Sequence, residues 1–396
     1  MGWKVNSVMD ERHRFVLELL EPGSRMAEVC RRFGVSRKTG YKWRKRFKQQ
    51  GLEGLKDQSR RPRRLSKVTA PELVCEIVAT RMKHPSWGPK KLYAVLRKSY
   101  PKRALPSRAT IARVIDRVGL VEGGRCARRR KPTAARKCVT PRSPNDLWTV
   151  DYKGWWRTRD GKRCEPLTVR DEWSRMVLAL RVTPGTDYEA ARAVFEELFR
   201  HYGLPRAIRS DNGPPFASMT SLGRLTRLSA WWKTLGIELD RIDPGRPEQN
   251  GSHERLHRDM SVELQRLRAA NFADQQRVFD AWRKEFNTKR PHEALGMRTP
   301  SERYEPSLER YGGERKDPEY PAHFDRRSVH RSGEIRLRGG SYFISQSLYG
   351  WEVGLEWLCE ERVRLWFSDM YLGTTRFIAG EKLVFEYERE LDRRIE

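Results

Sequence analysis

The chain has 396 residues, 37% of them hydrophobic, and sets 81 Lys and Arg against 52 Asp and Glu, a formal charge of +29. That length leads us to expect two to four domains. With no apolar run long enough for a bilayer and no secretory leader, a membrane-spanning or exported protein is not expected. The charge is lopsided: residues 1–144 hold 38 basic and 11 acidic side chains, net +27, against +2 for the rest. The first third is therefore the expected polyanion-binding part, with nucleic acid the natural partner. Cys30, Cys75, Cys126, Cys138, Cys164 and Cys359 form no CxxC pair, so neither a zinc site nor a disulfide framework is expected. The opening residues meet only part of a myristoylation pattern.

Residues 1–56 read as a helix-turn-helix domain. An apolar-periodic helix over 12–23 precedes a helix whose buried face holds Ala27, Val29, Cys30 and Phe33. Gly34 suits a turn that needs positive φ, and Ser36 can cap the next helix. There Tyr41, Trp43 and Phe47 are expected to pack, with Arg37, Lys38, Lys42, Lys45 and Arg46 outward. The first turn would enter a major groove, so Arg37, Lys38 and Thr39 are the base-reading candidates. Lys42 is a further DNA-binding candidate, and Lys45, Arg46 and Lys48 suit phosphate.

Residues 57–69 form a basic linker. Residues 70–122 hold three more helix candidates, the third capped by Ser107, as a second helix-turn-helix-like domain. Residues 123–144 are rich in Arg, Lys, Pro and Gly and offer no core. This linker is expected to lie along DNA, with Arg129, Arg130 and Lys131 as contacts.

Residues 145–312 read as an α/β domain. LWTVDYKGWWRT, CEPLTVRD and SRMVLALRVTP are successive strands, then a helix over 187–203, strand RAIRS, helix SAWWKTLG, strand IELDRI and a further helix. Residues 313–325 form a linker. Residues 326–396 alternate in short segments, which predicts a small β-barrel.

Three carboxylates stand at edges of these elements. Asp151 ends an apolar run, Asp211 ends another before Asn-Gly-Pro-Pro, and Glu254 opens a helix after Asn-Gly. Gathered at one end of a sheet they would repel each other unless cations sat among them. Hard carboxylate oxygens favour Mg²⁺ or Mn²⁺, and two such ions suit displacement at phosphorus. Glu248 competes for the third place. Glu254 is preferred because Leu256, Met260, Leu264 and Leu267 make an apolar stripe that leaves it on the other side, with His257, Arg258 and Ser261. Asp171 and Asp240 suit turns or hydrogen bonds. Asn212 and Asn250 suit loop support, His257 suits water, phosphate or a structural bond, and Arg255 and Arg258 suit DNA.

With these acids, WTVDYKGWW, YGLPRAIRSDNGPPF, PGRPEQNGSHERLHR and FNTKRPHEALGMRTPSERY resemble the signatures of DDE transposases and retroviral-type integrases, and above all insertion-sequence transposases with an integrase core. The zinc module of some retroviral-type integrases has no counterpart in the sequence. The resemblance implies a ribonuclease-H-like core and catalytic and metal roles for Asp151, Asp211 and Glu254, served by two Mg²⁺. It also places the acid three residues after Asn-Gly, which is Glu254. It implies binding of transposon ends and target DNA, cleavage with strand transfer, at least a dimer on DNA, and a bacterial cytoplasm at the nucleoid. The competing readings are a transposase-derived DNA-binding regulator and a nuclease without strand transfer.

Overall fold

A computed structural model describes residues 7–58, 69–121, 139–243, 245–264, 268–377 and 383–386, and for residues 247 and 248 the backbone alone. The chain forms two compact units, Met1–Thr69 and Ala70–Glu396. Arg129, Arg130, Lys131, Leu267 and the Glu248 side chain lie outside the described residues.

In the first unit, α1 (Val8–Leu20), α2 (Met26–Arg32) and α3 (Arg37–Gln50) close on Phe15, Val16, Val29, Cys30, Trp43 and Leu55. Gly34 takes φ +63° between α2 and α3, and Ser36 caps α3 by accepting from the Thr39 amide at 3.2 Å. One expectation fails here. Tyr41 does not pack; it is 57% exposed, and the buried positions of α3 are Gly40 and Trp43. A helix buries i and i+3, and Tyr41 lies one step off that stripe. Gly40 is needed at the crossing, because a Cβ there would sit 2.5 Å from Cys30 Sγ.

The second unit begins with α4 (Pro71–Lys83), α5 (Pro89–Ser99) and α6 (Arg108–Arg117), packed through Ile77, Trp87, Leu92, Leu96 and Ile111. Ser107 caps α6, as its sequence led us to expect. A mixed six-stranded sheet follows, with β1 (Leu147–Tyr152), β2 (Trp156–Arg157), β3 (Arg163–Asp171), β4 (Val177–Thr183), α7 (Tyr188–Tyr202), β5 (Ala207–Ser210), α8 (Arg227–Thr234), β6 (Glu238–Arg241), α9 (Gly251–Glu263) and α10 (Phe272–Thr288). β1 is antiparallel to β3 and parallel to β5, and β5 is parallel to β6. The expected single first strand is broken between β1 and β2, where Gly154 turns the chain at φ +88°.

Side-chain alternation divides the sheet's two faces. Trp148, Val150, Leu167 and Val169 pack with Phe195, Phe199 and Trp232 of α7 and α8. Cys164, Val177 and Leu180 pack with Leu256, Met260 and Phe279 of α9 and α10. α10 also serves the backbone of β4: the Asn287 amide brackets Val177, accepting from its N–H and donating to its carbonyl, both at 2.9 Å. An edge strand is thereby closed to further pairing.

β7 (Asp325–Ser328), β10 (Glu352–Trp357), β11 (Arg362–Phe367) and β12 (Met370–Arg376) form an antiparallel sheet in the order β12-β11-β10-β7, and β8 (Glu334–Leu337) pairs with β9 (Gly340–Phe343) in a separate hairpin. The C-terminal part is thus an open antiparallel sheet and a hairpin among the described residues. The stretch between β5 and α8 reaches this sheet. Leu222, Leu225 and Ala230 join its core of Val353, Leu365 and Leu372, and Lys233 pairs with Asp369 at 2.7 Å.

Candidate active site

Asp151 lies on the penultimate residue of β1, Asp211 one residue beyond β5, and Glu254 in the first turn of α9. β1 and β5 are neighbours, so parallel pairing alone brings the two aspartates to one end of the sheet. The α9 stripe has the expected direction: Leu256, Met260 and Leu264 are each 1% exposed, while Glu254 is exposed. The three acids share one field. Burial pushes the Asp151 carboxyl up to about 7, and the charges of Asp211 and then Glu254 add to the shift, against the Tyr152 amide, which lowers it. Asp211 is also raised, by burial, against one hydrogen bond from the Gly213 amide at 3.3 Å.

His253 and His257 fix the ground between β1, β3 and α9. Thr168 donates its hydroxyl to the Asp151 carbonyl at 2.8 Å, so it can only accept from the two histidines. Nε2 of His253 stands 2.6 Å away and Nε2 of His257 2.9 Å. Both rings therefore carry the proton on Nε2. Nδ1 of His253 accepts from the Thr149 hydroxyl at 2.9 Å, while Nδ1 of His257 presents a lone pair 3.7 Å from Asp151 Oδ2. Burial, Lys153 and Arg170 push His257 down to about 3, and burial holds His253 well below the usual imidazole range. Both rings are neutral at physiological pH.

The remaining candidates divide by element. Asn212 ties its loop to β6 by donating to the Ile242 carbonyl at 2.7 Å, and Asn250 is buried at the head of α9. Arg255 and Arg258 lie on the exposed face of α9, Arg255 at 3.8 Å from Asp259. Arg37, Lys38, Lys42 and Lys45 are exposed on α3 of the first unit. Arg46 and Lys42 also lie over the Trp43 ring, at 5.2 and 4.7 Å. The Thr39 hydroxyl is engaged with Ser36 in the helix cap at 2.9 Å. Asp171 accepts from the Asn145 and Ser174 amides at 2.8 and 2.7 Å, and Asp240 accepts from Arg209, so both take hydrogen-bonding roles.

Thr149, Thr168, Arg170 and Arg209 were not singled out in the sequence. The signal was present in their spacing, since Thr149 and Arg209 each stand two residues before an acid and so share its face of the sheet.

The donor set consists of hard oxygens. Beside the carboxylates, Asn212 Oδ1 and Asn250 Oδ1 are buried with no hydrogen-bond donor. Such oxygens fit Mg²⁺ or Mn²⁺. Among the described residues no three His, Cys, Asp or Glu side chains converge closely enough to hold one ion. The acids form a shared field without a closed cage.

Residues 141–247 and 235–300 match the integrase core domain, residues 11–63 a helix-turn-helix domain and residues 39–115 a homeodomain-like domain. The resemblance to insertion-element transposases holds: an integrase core follows N-terminal helix-turn-helix domains. The chain is 27% identical over 231 residues to the 39.2 kDa protein of insertion element IS476 from Xanthomonas euvesicatoria, covering 58% of this chain and 64% of that one. It is 29% identical over 187 residues to the 31.7 kDa protein of insertion element IS407 from Burkholderia multivorans, covering 46% and 65%. The chain thus spans just under two thirds of the length of these relatives. A solved HTLV-2 integrase catalytic core in complex with magnesium aligns with 42% of this chain and 100% of its own, at 14% identity and a TM-score of 0.31. No helix among the described residues is long and apolar enough to cross a membrane.

Proposed function

We propose that the chain is a DNA transposase that binds transposon terminal repeats and catalyses Mg²⁺-dependent cleavage and strand transfer through Asp151, Asp211 and Glu254. The reading rests on placement: β1 and β5 pair in parallel, which supports Asp151 and Asp211 at one end of the sheet, and Glu254 follows His253, which is bonded to Thr149 of β1 on the same face as Asp151. These carboxylates would hold two Mg²⁺, or Mn²⁺, which when bound supply a more acidic water and a neutralised leaving oxygen. The chemistry is two in-line displacements at phosphorus: water frees a 3′-hydroxyl at the transposon end, and that hydroxyl joins target DNA. No covalent protein intermediate is required.

Arg37, Lys38, Thr39, Lys42, Lys45 and Arg46 would hold the transposon end, Arg129, Arg130 and Lys131 would follow its backbone, and Arg255 and Arg258 would meet phosphate beside the acids. Asn212 and Asn250 would keep the loops in place, and neutral His257 would orient a water by accepting its hydrogen bond at Nδ1 beside Asp151. The chain would divide at 57–69, 123–144 and 313–325, and its C-terminal sheet and hairpin, sharing one apolar core, would act as a barrel-like domain. Two ends must be joined together, so the working form on DNA is at least a dimer; a monomer by light scattering in the catalytic complex would refute this.

The second reading is a DNA-binding regulator derived from a transposase, which would use the helix-turn-helix domains alone; the intact set of three acids argues against it. Strand transfer in Mg²⁺, with DNA flanking the gene, separates the two. Joined products from wild type and none from Asp211→Asn support the transposase. End binding without joining, across metals and ends, supports the regulator. Glu254→Gln is expected to bind ends and not cleave; normal cleavage would move the third acid to Glu248.

A further inference from the structure

On the reading that Glu254 completes the acidic site, we propose that Arg170 and Arg209 are positioning residues that set this carboxylate relative to the two aspartates. Pairing across the sheet places Thr149 of β1 in register with Arg170 of β3 on one side and with Arg209 of β5 on the other. Three residues thus form one row across three strands. Each reaches the short segment just before Glu254. Arg209 Nη1 donates to the Gln249 carbonyl at 3.3 Å, Arg170 Nη1 donates to the Ser252 carbonyl at 2.9 Å, and Thr149 holds the His253 ring at 2.9 Å.

The next row on the same face contains the acids. Two residues on from Thr149 is Asp151, in register with Thr168, and two residues on from Arg209 is Asp211. A strand advances about 6.6 Å over two residues. One row therefore carries two acids, and the row behind it fixes the segment that delivers the third.

Both guanidiniums are built for this. Arg170 is 4% and Arg209 7% exposed. A buried charge needs a partner, and each has one: Arg170 pairs with Glu172 at 2.6 Å and Arg209 with Asp240 at 2.6 Å. Glu172 in turn accepts from the Ser252 hydroxyl at 2.6 Å, so Ser252 is held at both its carbonyl and its side chain. Arg209 also donates to the Val139 carbonyl at 2.8 Å. The rigid planar fork holds the carboxylate and a backbone carbonyl of the segment before Glu254 at fixed separation, a geometry that the compact ammonium of lysine does not reproduce.

The test uses the full chain with Arg170→Lys and Arg209→Lys, separately and together. Lysine keeps the charge beside each carboxylate and loses the fork that fixes carboxylate and carbonyl together. Mn²⁺ binding is read by paramagnetic resonance of the free ion, cleavage by its kcat and KM for end DNA, and folding by thermal melting. The expected result is Mn²⁺ binding weakened about 10–100-fold, as for other residues that orient metal ligands, with kcat reduced, KM for end DNA unchanged, and cleavage restored at high metal concentration. Mn²⁺ affinity and kcat within twofold of wild type in the double variant would overturn the proposal. A purely structural role would lower melting and leave Mn²⁺ affinity in the folded fraction untouched, which also overturns it. Should the lysine variants fail to fold, Thr149→Val against Thr149→Ser tests the same row: loss of Mn²⁺ affinity in the valine variant alone supports the proposal, and equal affinities refute it. Wild type without metal-dependent cleavage, or fully active Glu254→Gln, would instead sink the underlying functional reading.

Discussion

Replacing Arg290 with methionine should destabilise the second unit by about 3–5 kcal/mol, the usual cost of removing one partner from a buried ion pair. Arg290 is 2% exposed and sits 2.7 Å from Asp259 and 3.0 Å from Glu263, both on α9. Their side chains are 13% and 19% exposed, so water screens neither well. The two acids do not lose equally. Glu263 retains the Trp282 indole at 2.7 Å and the Ser86 hydroxyl. Among the described residues, Asp259 retains Arg255, at 3.8 Å and itself 66% exposed, and the nearby charge of Lys91. That residual help places the expected loss near about 3 kcal/mol, most of it from Asp259. Adding Asp259→Asn should therefore recover about 1–2 kcal/mol, because an amide tolerates burial without a counter-charge. Urea unfolding followed by circular dichroism and tryptophan fluorescence measures both changes. A loss under about 1 kcal/mol, or no recovery from Asp259→Asn, would refute the reasoning.

Gly40→Val should unfold the first unit or cost it about 2–3 kcal/mol through overpacking, since its Cβ would fall 2.5 Å from Cys30 Sγ and 2.8 Å from Met26 Sδ; end binding and melting fall together, and a variant that melts like wild type contradicts the packing. Leu225→Ala, at a site 0% exposed, should cost about 2–5 kcal/mol and expose the C-terminal sheet to limited proteolysis, whereas unchanged digestion would show that the stretch between β5 and α8 does not secure it. Lys91 is pushed down to about 8 by burial and by Arg290. Its folded value lies below its unfolded value of 10.5, so the unfolded chain holds more protons between the two and stability gains with pH across that window. Lys91→Met should be more stable than wild type at pH 7 and lose that advantage as pH rises through 8 towards 10.5; a constant difference in urea midpoint would contradict this.

Much of the site was legible in the sequence because its signals are local. Ser36 and Ser107 cap the helices they precede, Gly34 takes its positive φ, and the leucine stripe of α9 leaves Glu254 exposed. Tyr41 shows the limit of pattern reading. An aromatic residue in an amphipathic helix reads as core, yet the crossing of α3 leaves room only for glycine at the buried position beside it. The stretch between β5 and α8 is assigned no element in the sequence. In the fold, Leu222 and Leu225 within that stretch are part of the C-terminal core, a use visible only once residues more than a hundred positions away have packed against them.

The sequence by itself determined which acids stand at strand and helix edges, which helices are amphipathic, and where the positive charge is concentrated, since propensity, periodicity and charge are properties of contiguous residues. Tertiary structure alone decided that Arg170, Thr149 and Arg209 form one row and that Asp151 and Asp211 stand on the row ahead of it. Alternation along a strand assigns a residue to a face. Which residue of another strand lies opposite depends on backbone hydrogen bonds between segments distant in the chain, and that register exists only after the sheet has formed.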